Sequence, residues 1–136
     1  MYKNLIEEAL SEGMEKIAIE TVIEKDGKVL LIEDLGMGTT FYGFPKVELK
    51  EGESIPQALQ RAVTERTAMQ LKDVKRYLGH YDRDGMRHYH FVVEVNDPYS
   101  LEENANIAYA WLDVQEAVGY PITDQLREML DLYNKT

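Results

Sequence analysis

The stretch Ser54–Met69, SIPQALQRAVTERTAM, constrains the fold of this chain more than any other. Ser54 and Gln57 have the spacing of a capping box, in which each side chain satisfies a backbone N–H at the helix start. Pro56 falls in the first turn, where its missing N–H costs nothing. Ala58, Leu59, Ala62, Val63 and Met69 recur at helical spacing and predict a buried stripe. Arg61 and Glu65 stand at i and i+4 on its flank, close enough to pair. A helix apolar on one side only must lie on another layer, so this segment already calls for a packed domain.

The rest of the chain supplies that layer. Ile17, Ile19, Thr21 and Ile23 alternate, Lys25-Asp26-Gly27-Lys28 offers a hairpin turn, and Val29–Ile32 follows as a second strand. Val74–Gly79 and Arg87–Val95 read as another hairpin across the turn Asp82-Arg83-Asp84-Gly85. Ile107–Leu112 reads as a strand, Val114–Val118 as a short helical turn, and Thr123–Tyr133 as a last helix carrying Leu126, Leu130 and Tyr133 on one side. At the N-terminus Tyr2, Leu5, Ile6, Ala9 and Leu10 predict an amphipathic helix stopped near Gly13. Asp34–Thr40 and Asn96–Asn106 are loops. The glycines Gly36 and Gly38 have the spacing of a weak phosphate-binding loop, and a plain loop is the default. The expectation is one α+β domain with a mixed sheet: residues 1–14 as an N-terminal helix on the edge, or a homodimer contact, and residues 15–136 as the domain proper.

Composition narrows the function. The chain has 136 residues, room for one domain with a core. It contains no cysteine, which excludes disulfides and thiolate chemistry. A net charge of −10 argues against nucleic acid and anionic membranes as partners. There is no apolar run of transmembrane length and no secretory signal pattern, so a cytoplasmic location is expected.

Gly52–Met69 resembles the Nudix box, G-x5-E-x7-R-E-U-x-E-E-x-G-U with U apolar. Without gaps, the chain keeps Glu53, Arg61, Val63, Glu65 and Met69 and departs at Val47, Ala62, Arg66 and Ala68. Phe41-Tyr42-Gly43-Phe44-Pro45 is similar to the aromatic stretch that precedes the box, Lys46-Val47 standing where the family has glycines. Trp111–Ala117 is similar to its late Trp-x-x-x-x-Glu segment, and the hairpin from Glu15 to Ile32 to its opening. The resemblance spans roughly residues 15–133. It implies an α/β/α sandwich, Mg²⁺ or Mn²⁺ as cofactor, and a nucleoside diphosphate linked to a group X as ligand. In an intact member a metal-bound water attacks the pyrophosphate.

At about 100° per residue, positions 62, 65 and 66 project onto one helix face. The family places three carboxylates there, and here the face carries Ala62, Glu65 and Arg66. A guanidinium cannot ligate a cation and competes for a neighbouring carboxylate. Glu53 and Glu65 are thus the residual catalytic and metal candidates, and Arg61 and Arg66 the ligand-binding candidates. Arg66 is expected to pair with Glu53 or Glu65 by default, or to take a ligand phosphate. Glu48, Glu51, Glu53 and Glu65, joined by Glu102 and Glu103, are a displaced acidic cluster or a solvated acidic loop, the latter favoured. His88 and His90 share a strand face with metal-ligand spacing but lack an evident third ligand. Tyr77, Tyr81, Tyr89, Tyr109 and Trp111 are a stacking platform or core aromatics, core being the default. Three functions remain open: a weakly active Nudix hydrolase, a non-catalytic nucleotide-binding module, and a protein-interaction module using the N-terminal helix.

Overall fold

The computed structural model describes residues 2–34, 40–102 and 107–136, without the side chain of Asp34. The Gly36–Gly38 loop and Glu103 lie outside these residues. Helix α1 is Lys3–Ser11, followed by strands β1 (Lys16–Lys25), β2 (Lys28–Asp34) and β3 (Lys46–Glu48). Helix α2 (Ile55–Thr67) leads into β4 (Leu71–Arg83) and β5 (Met86–Val95), and a 3-10 turn at Pro98–Ser100 precedes β6 (Ile107–Leu112). Helices α3 (Val114–Ala117) and α4 (Asp124–Lys135) complete the described chain. No described helix is long and apolar enough to cross a membrane.

The sheet runs in the order β4-β5-β1-β2-β6, with β3 also paired to β1. Among the described residues one pairing is parallel, joining β1 to β5 from Lys16↔Met86 to Ile23↔Val93. Both strands are buried on both faces over most of their length, and the polar residues they carry, Glu20, Thr21, Arg87, His88 and His90, are buried with them. One face, with Ile17, Ile19, Ile23, Tyr89, Phe91 and Val93, packs under α1 and α2. The other, with Val22, Leu31 and Val92, packs under α3 and α4. The result is the expected α/β/α sandwich with a mixed sheet.

Two hairpins turn where the sequence placed them. Asp26-Gly27 and Asp84-Gly85 both have positive φ at each residue, the backbone of a tight two-residue turn. The second turn is narrower than the four residues read from sequence, because β4 runs on to Arg83. Past the first turn, β1 and β2 separate: they pair only at Glu24↔Val29 and Lys25↔Lys28. Segment 43–48 fills the wedge. Gly43 bridges to Ile32, Pro45 O accepts from the Thr21 amide and hydroxyl, and β3 pairs Val47 with Ile19. This wedge opens the cleft described below.

Helix α1 is fastened to the sheet. Leu5 and Ala9 are buried in the α2-side core, and Tyr89 donates its hydroxyl to Leu5 O at 2.6 Å. Arg87, 3% exposed, forks onto Asp82 at 2.7 and 3.0 Å and reaches Glu12 just beyond the helix. Helix α2 carries the capping box predicted for it, Ser54 Oγ accepting from Gln57 N and Gln57 Oε1 from Ser54 N.

Helix α2 ends on Ala68 in the left-handed region, φ 62°, with its N–H on Thr64 O. The position matches the late glycine of the family pattern, so the turn has kept its geometry while the residue has gained a Cβ. A left-handed L-residue costs about 1–2 kcal/mol, and glycine's extra chain entropy takes back about 0.5–1. Ala68→Gly is therefore expected to stabilise the fold by about 0.5–1 kcal/mol. Urea denaturation of the two proteins measures it, and an unchanged or lower midpoint refutes it.

Candidate functional site

The start of α2 is held by one guanidinium. Arg61 Nε and Nη2 donate to the two carboxylate oxygens of Glu53, each at 2.9 Å. Nη2 also donates to Glu48 O at 2.7 Å, and Nη1 reaches Glu65 Oε2 at 3.5 Å. The amide of Lys50 adds a further bond to Glu53 at 3.0 Å. The Arg61 hydrogen bonds hold the Glu53 carboxyl below its usual range, and Glu53 in turn raises Arg61. Glu53 and Glu65 both hold Arg61, the Glu65 contact being the i, i+4 pair read from the sequence. Glu48 faces Lys16 at 3.8 Å. Ala62 is fully buried, so it belongs to the core stripe and not to an open face. Arg66 is half-buried near the end of α2, and its carbonyl accepts from Tyr109.

A cavity of about 290 Å³ opens beside this helix in the β1–β2 wedge. Its walls include Phe41, Tyr42 and Phe44 from the wedge segment, Tyr81 and Arg83 from β4, and Leu126 from α4. Lys46 and Arg66 line both this cavity and an open groove along β3 and α2 that carries Glu48, Arg61 and Glu65. The two hollows therefore meet at a pair of cations.

The cavity is also lined by Glu20 and His88, an ionic cluster that the sequence did not announce. Glu20, 4% exposed, lies opposite His90 in the parallel β1–β5 register. His88 Nδ1 donates to Glu20 Oε2 at 2.6 Å. His90 Nε2 stands 3.3 Å from Glu20 Oε1, near enough to interact in charge but off the line of a good hydrogen bond. Burial pushes the Glu20 carboxyl up, but the His88 bond, the His90 contact and charge, and the Lys46 charge outweigh it and bring it down to about 2. Glu20 is thus ionised across the physiological range. Tyr81 lies flat on His88, ring centroids 4.5 Å apart and planes 12° from parallel.

Among the aromatic candidates, only Tyr81 lines this cavity. Tyr89 is fully buried, Tyr77 packs against Tyr89 and Phe91, and Trp111 lies under the Lys25 ammonium at 4.4 Å. The partner missing from the His88/His90 pair is Glu20. It escaped notice because alternation assigned the odd residues of β1 to the interior, whereas both faces of β1 are interior. The available signal was a lone acid inside an apolar run.

Residues 16–133 match the NUDIX domain, and the chain belongs to the Nudix family. Among solved structures it is similar to a NUDIX hydrolase from Nitrosomonas europaea, 26% identical over 88% of each chain with a TM-score of 0.73. An ADP-ribose pyrophosphatase from Streptococcus suis is 12% identical, over 88% of this chain and 91% of that one, TM-score 0.68. A UDP-X diphosphatase is 18% identical, over 99% of this chain and 72% of that one, TM-score 0.68. No curated protein matches the sequence.

The family implies a divalent cation at this helix. Mg²⁺ asks for several oxygen ligands around one point. Here Arg61 stands between Glu53 and Glu65, Ala62 offers none, and no group of three His, Asp or Glu among the described residues is arranged to hold an ion. In the Glu20 cluster the carboxylate and the His88 imidazole touch directly, leaving no gap for one. The described side chains do not fit a metal centre of the family's kind.

Because its carboxyl is depressed when folded, Glu20 stabilises the fold above its ordinary value of 4.5 and loses that contribution as pH falls toward about 2. Glu20→Gln is expected to cost roughly 1–3 kcal/mol at pH 7, with the gap to wild type narrowing between pH 4.5 and 2. Thermal melts followed by circular dichroism give the comparison, and a gap that stays constant over that range rejects it.

Proposed function

We propose that this chain binds a nucleoside diphosphate linked to a second group and hydrolyses it slowly or not at all. The observation that carries the reading is the exchange of charge on the helix face. Where a metal centre needs converging carboxylates, Arg61 occupies Glu53 and Glu65, and Lys46 and Arg66 stand at the junction of groove and cavity. The diphosphate lies across that junction, and its charge is met by ammonium and guanidinium groups, whose donors suit phosphate oxygens. The aromatic walls of the cavity take the nucleoside. The ligand class is supported by the similar structures, an ADP-ribose pyrophosphatase and a UDP-X diphosphatase.

The N-terminal unit of residues 1–14, which contains helix α1, braces the domain of residues 15–136 through Leu5 and Ala9. Glu53 and Glu65 remain the residual candidates for catalysis and for a weakly held Mg²⁺ or Mn²⁺.

A thermal-shift panel of ADP-ribose and UDP-sugars, run with and without Mg²⁺, tests the assignment. The wild type is expected to gain several degrees with at least one diphosphate in the absence of metal. Lys46→Ala with Arg66→Ala is expected to weaken that ligand about tenfold or more. No shift with any diphosphate overturns the binding reading, and rapid Mg²⁺-dependent hydrolysis overturns the loss of activity.

Restoring carboxylates tests the metal side separately. Ala62→Glu with Arg66→Glu brings back the family's acids, but the buried Ala62 site makes the new carboxylate costly until an ion neutralises it. The double variant is expected to melt lower than wild type in EDTA and to recover part of the loss in millimolar Mg²⁺. Titration calorimetry showing no gain in Mg²⁺ affinity means that more than these side chains is missing.

A further inference from the structure

We infer that Glu20 and His88 are the base-reading end of the cleft, accepting a hydrogen bond from an exocyclic amino group on a planar base. The inference rests on the reading that a nucleoside diphosphate occupies the cleft. The cavity is polarised. Lys46, Arg66 and Arg83 line it as cations, while Glu20 is its buried anion. A ligand with a phosphate at one end and hydrogen-bond donors at the other matches both.

The chemistry of the anionic end follows from one bond. An ionised carboxylate only accepts, so the 2.6 Å contact requires the proton on His88 Nδ1. That bond selects the Nδ1–H tautomer, whose lone pair sits on Nε2, the polar atom His88 has left for the cavity it lines. Glu20 thereby sets the sign of the partner. An N–H donor meets an acceptor, whereas a carbonyl in the same place meets another lone pair. Charged and titratable groups lining the same cavity are Tyr42 of the wedge segment, which meets Glu33 of β2, Lys46 of β3, Arg66 of α2, and Tyr81 and Arg83 of β4; His90 of β5 lies behind, against Glu20.

The shape argues for a flat ring. His88 is fixed against Tyr81 by stacking, and Phe41, Tyr42 and Phe44 add aromatic surface to the same cavity. A cavity of about 290 Å³ is at the small end of ligand sites, which suits a base better than a bulky group X. Glu20 acts through His88 and is a positioning residue, and His88 is the contact.

ADP and inosine diphosphate differ by an exocyclic amino group against a carbonyl, and beside it by a bare ring nitrogen against a ring N–H; inorganic pyrophosphate lacks the base altogether. Titration calorimetry of all three with wild type, Glu20→Gln and His88→Phe tests the assignment. Wild type is expected to bind ADP about tenfold more tightly than inosine diphosphate. A glutamine at position 20 can donate to Nδ1 and free the Nε2–H tautomer, so the preference is expected to collapse or invert. In His88→Phe it is expected to collapse, and pyrophosphate affinity should stay within twofold of wild type in both variants. Wild-type affinities for ADP and inosine diphosphate within twofold of each other overturn the inference, as does a preference for inosine diphosphate. Variants that lose all three ligands in parallel also overturn it, since that is the mark of a structural role. Wild type binding none of the three overturns the cleft reading and this inference with it, whereas binding without discrimination overturns this inference alone. If a variant fails to fold, the wild-type ratio, which needs no substitution, decides.

Discussion

The parallel pairing of β1 with β5 is the constraint on which the rest of this structure depends. A parallel pair must be covered on both faces, and here α1 with α2 and α3 with α4 do the covering. Because side chains alternate across a strand, the pairing sends Tyr89, Phe91 and Val93 one way and His88, His90 and Val92 the other. The same register sets Glu20 beside His90. A buried carboxylate needs partners, and the sheet delivers two imidazoles to it. The divergence of β2 from β1 then leaves the wedge through which that cluster meets the cleft.

The second organising element is the Arg61 fork. A bidentate guanidinium–carboxylate pair is among the stronger polar contacts at a partly buried site. Here it ties the start of α2 to the segment before it, through Glu53 and the carbonyl of Glu48. The fork explains why the helix keeps the family's geometry after losing two of its acids. Its first backbone N–H groups are met by the capping box and its approach is tied by Arg61, neither of which involves a metal.

Charge separates the regions of the molecule. A chain of net charge −10 repels anions at a distance, yet it lines one cleft with Lys46, Arg66 and Arg83. A field of this kind disfavours nucleic acid, which presents phosphates over a wide surface, and tolerates a small anion that enters a single hollow.

The family, the α2 helix with its cap, both hairpin turns and the terminal helices were all legible in the sequence. They depend on local rules: capping hydroxyls, turn residues with positive φ, and apolar periodicity. The substitutions at 62 and 66 were legible for the same reason, because a box is a linear pattern. The Arg61–Glu65 pair was legible as i, i+4 spacing, whereas the fork of Arg61 onto Glu53 and the Glu48 carbonyl depends on the path of residues 48–53. The buried Ala62 was legible as part of the helix stripe, whereas the Glu20–His88–His90 cluster was set by tertiary contacts. Glu20 and His88 are 68 positions apart, and strand alternation alone says which residues share a face, not which faces are covered or which strand lies alongside. Sequence by itself determined the elements and the family, because those are written in short-range patterns. Tertiary structure alone decided the chemistry of the cleft, because that depends on which buried charges the strand register brings within hydrogen-bonding distance.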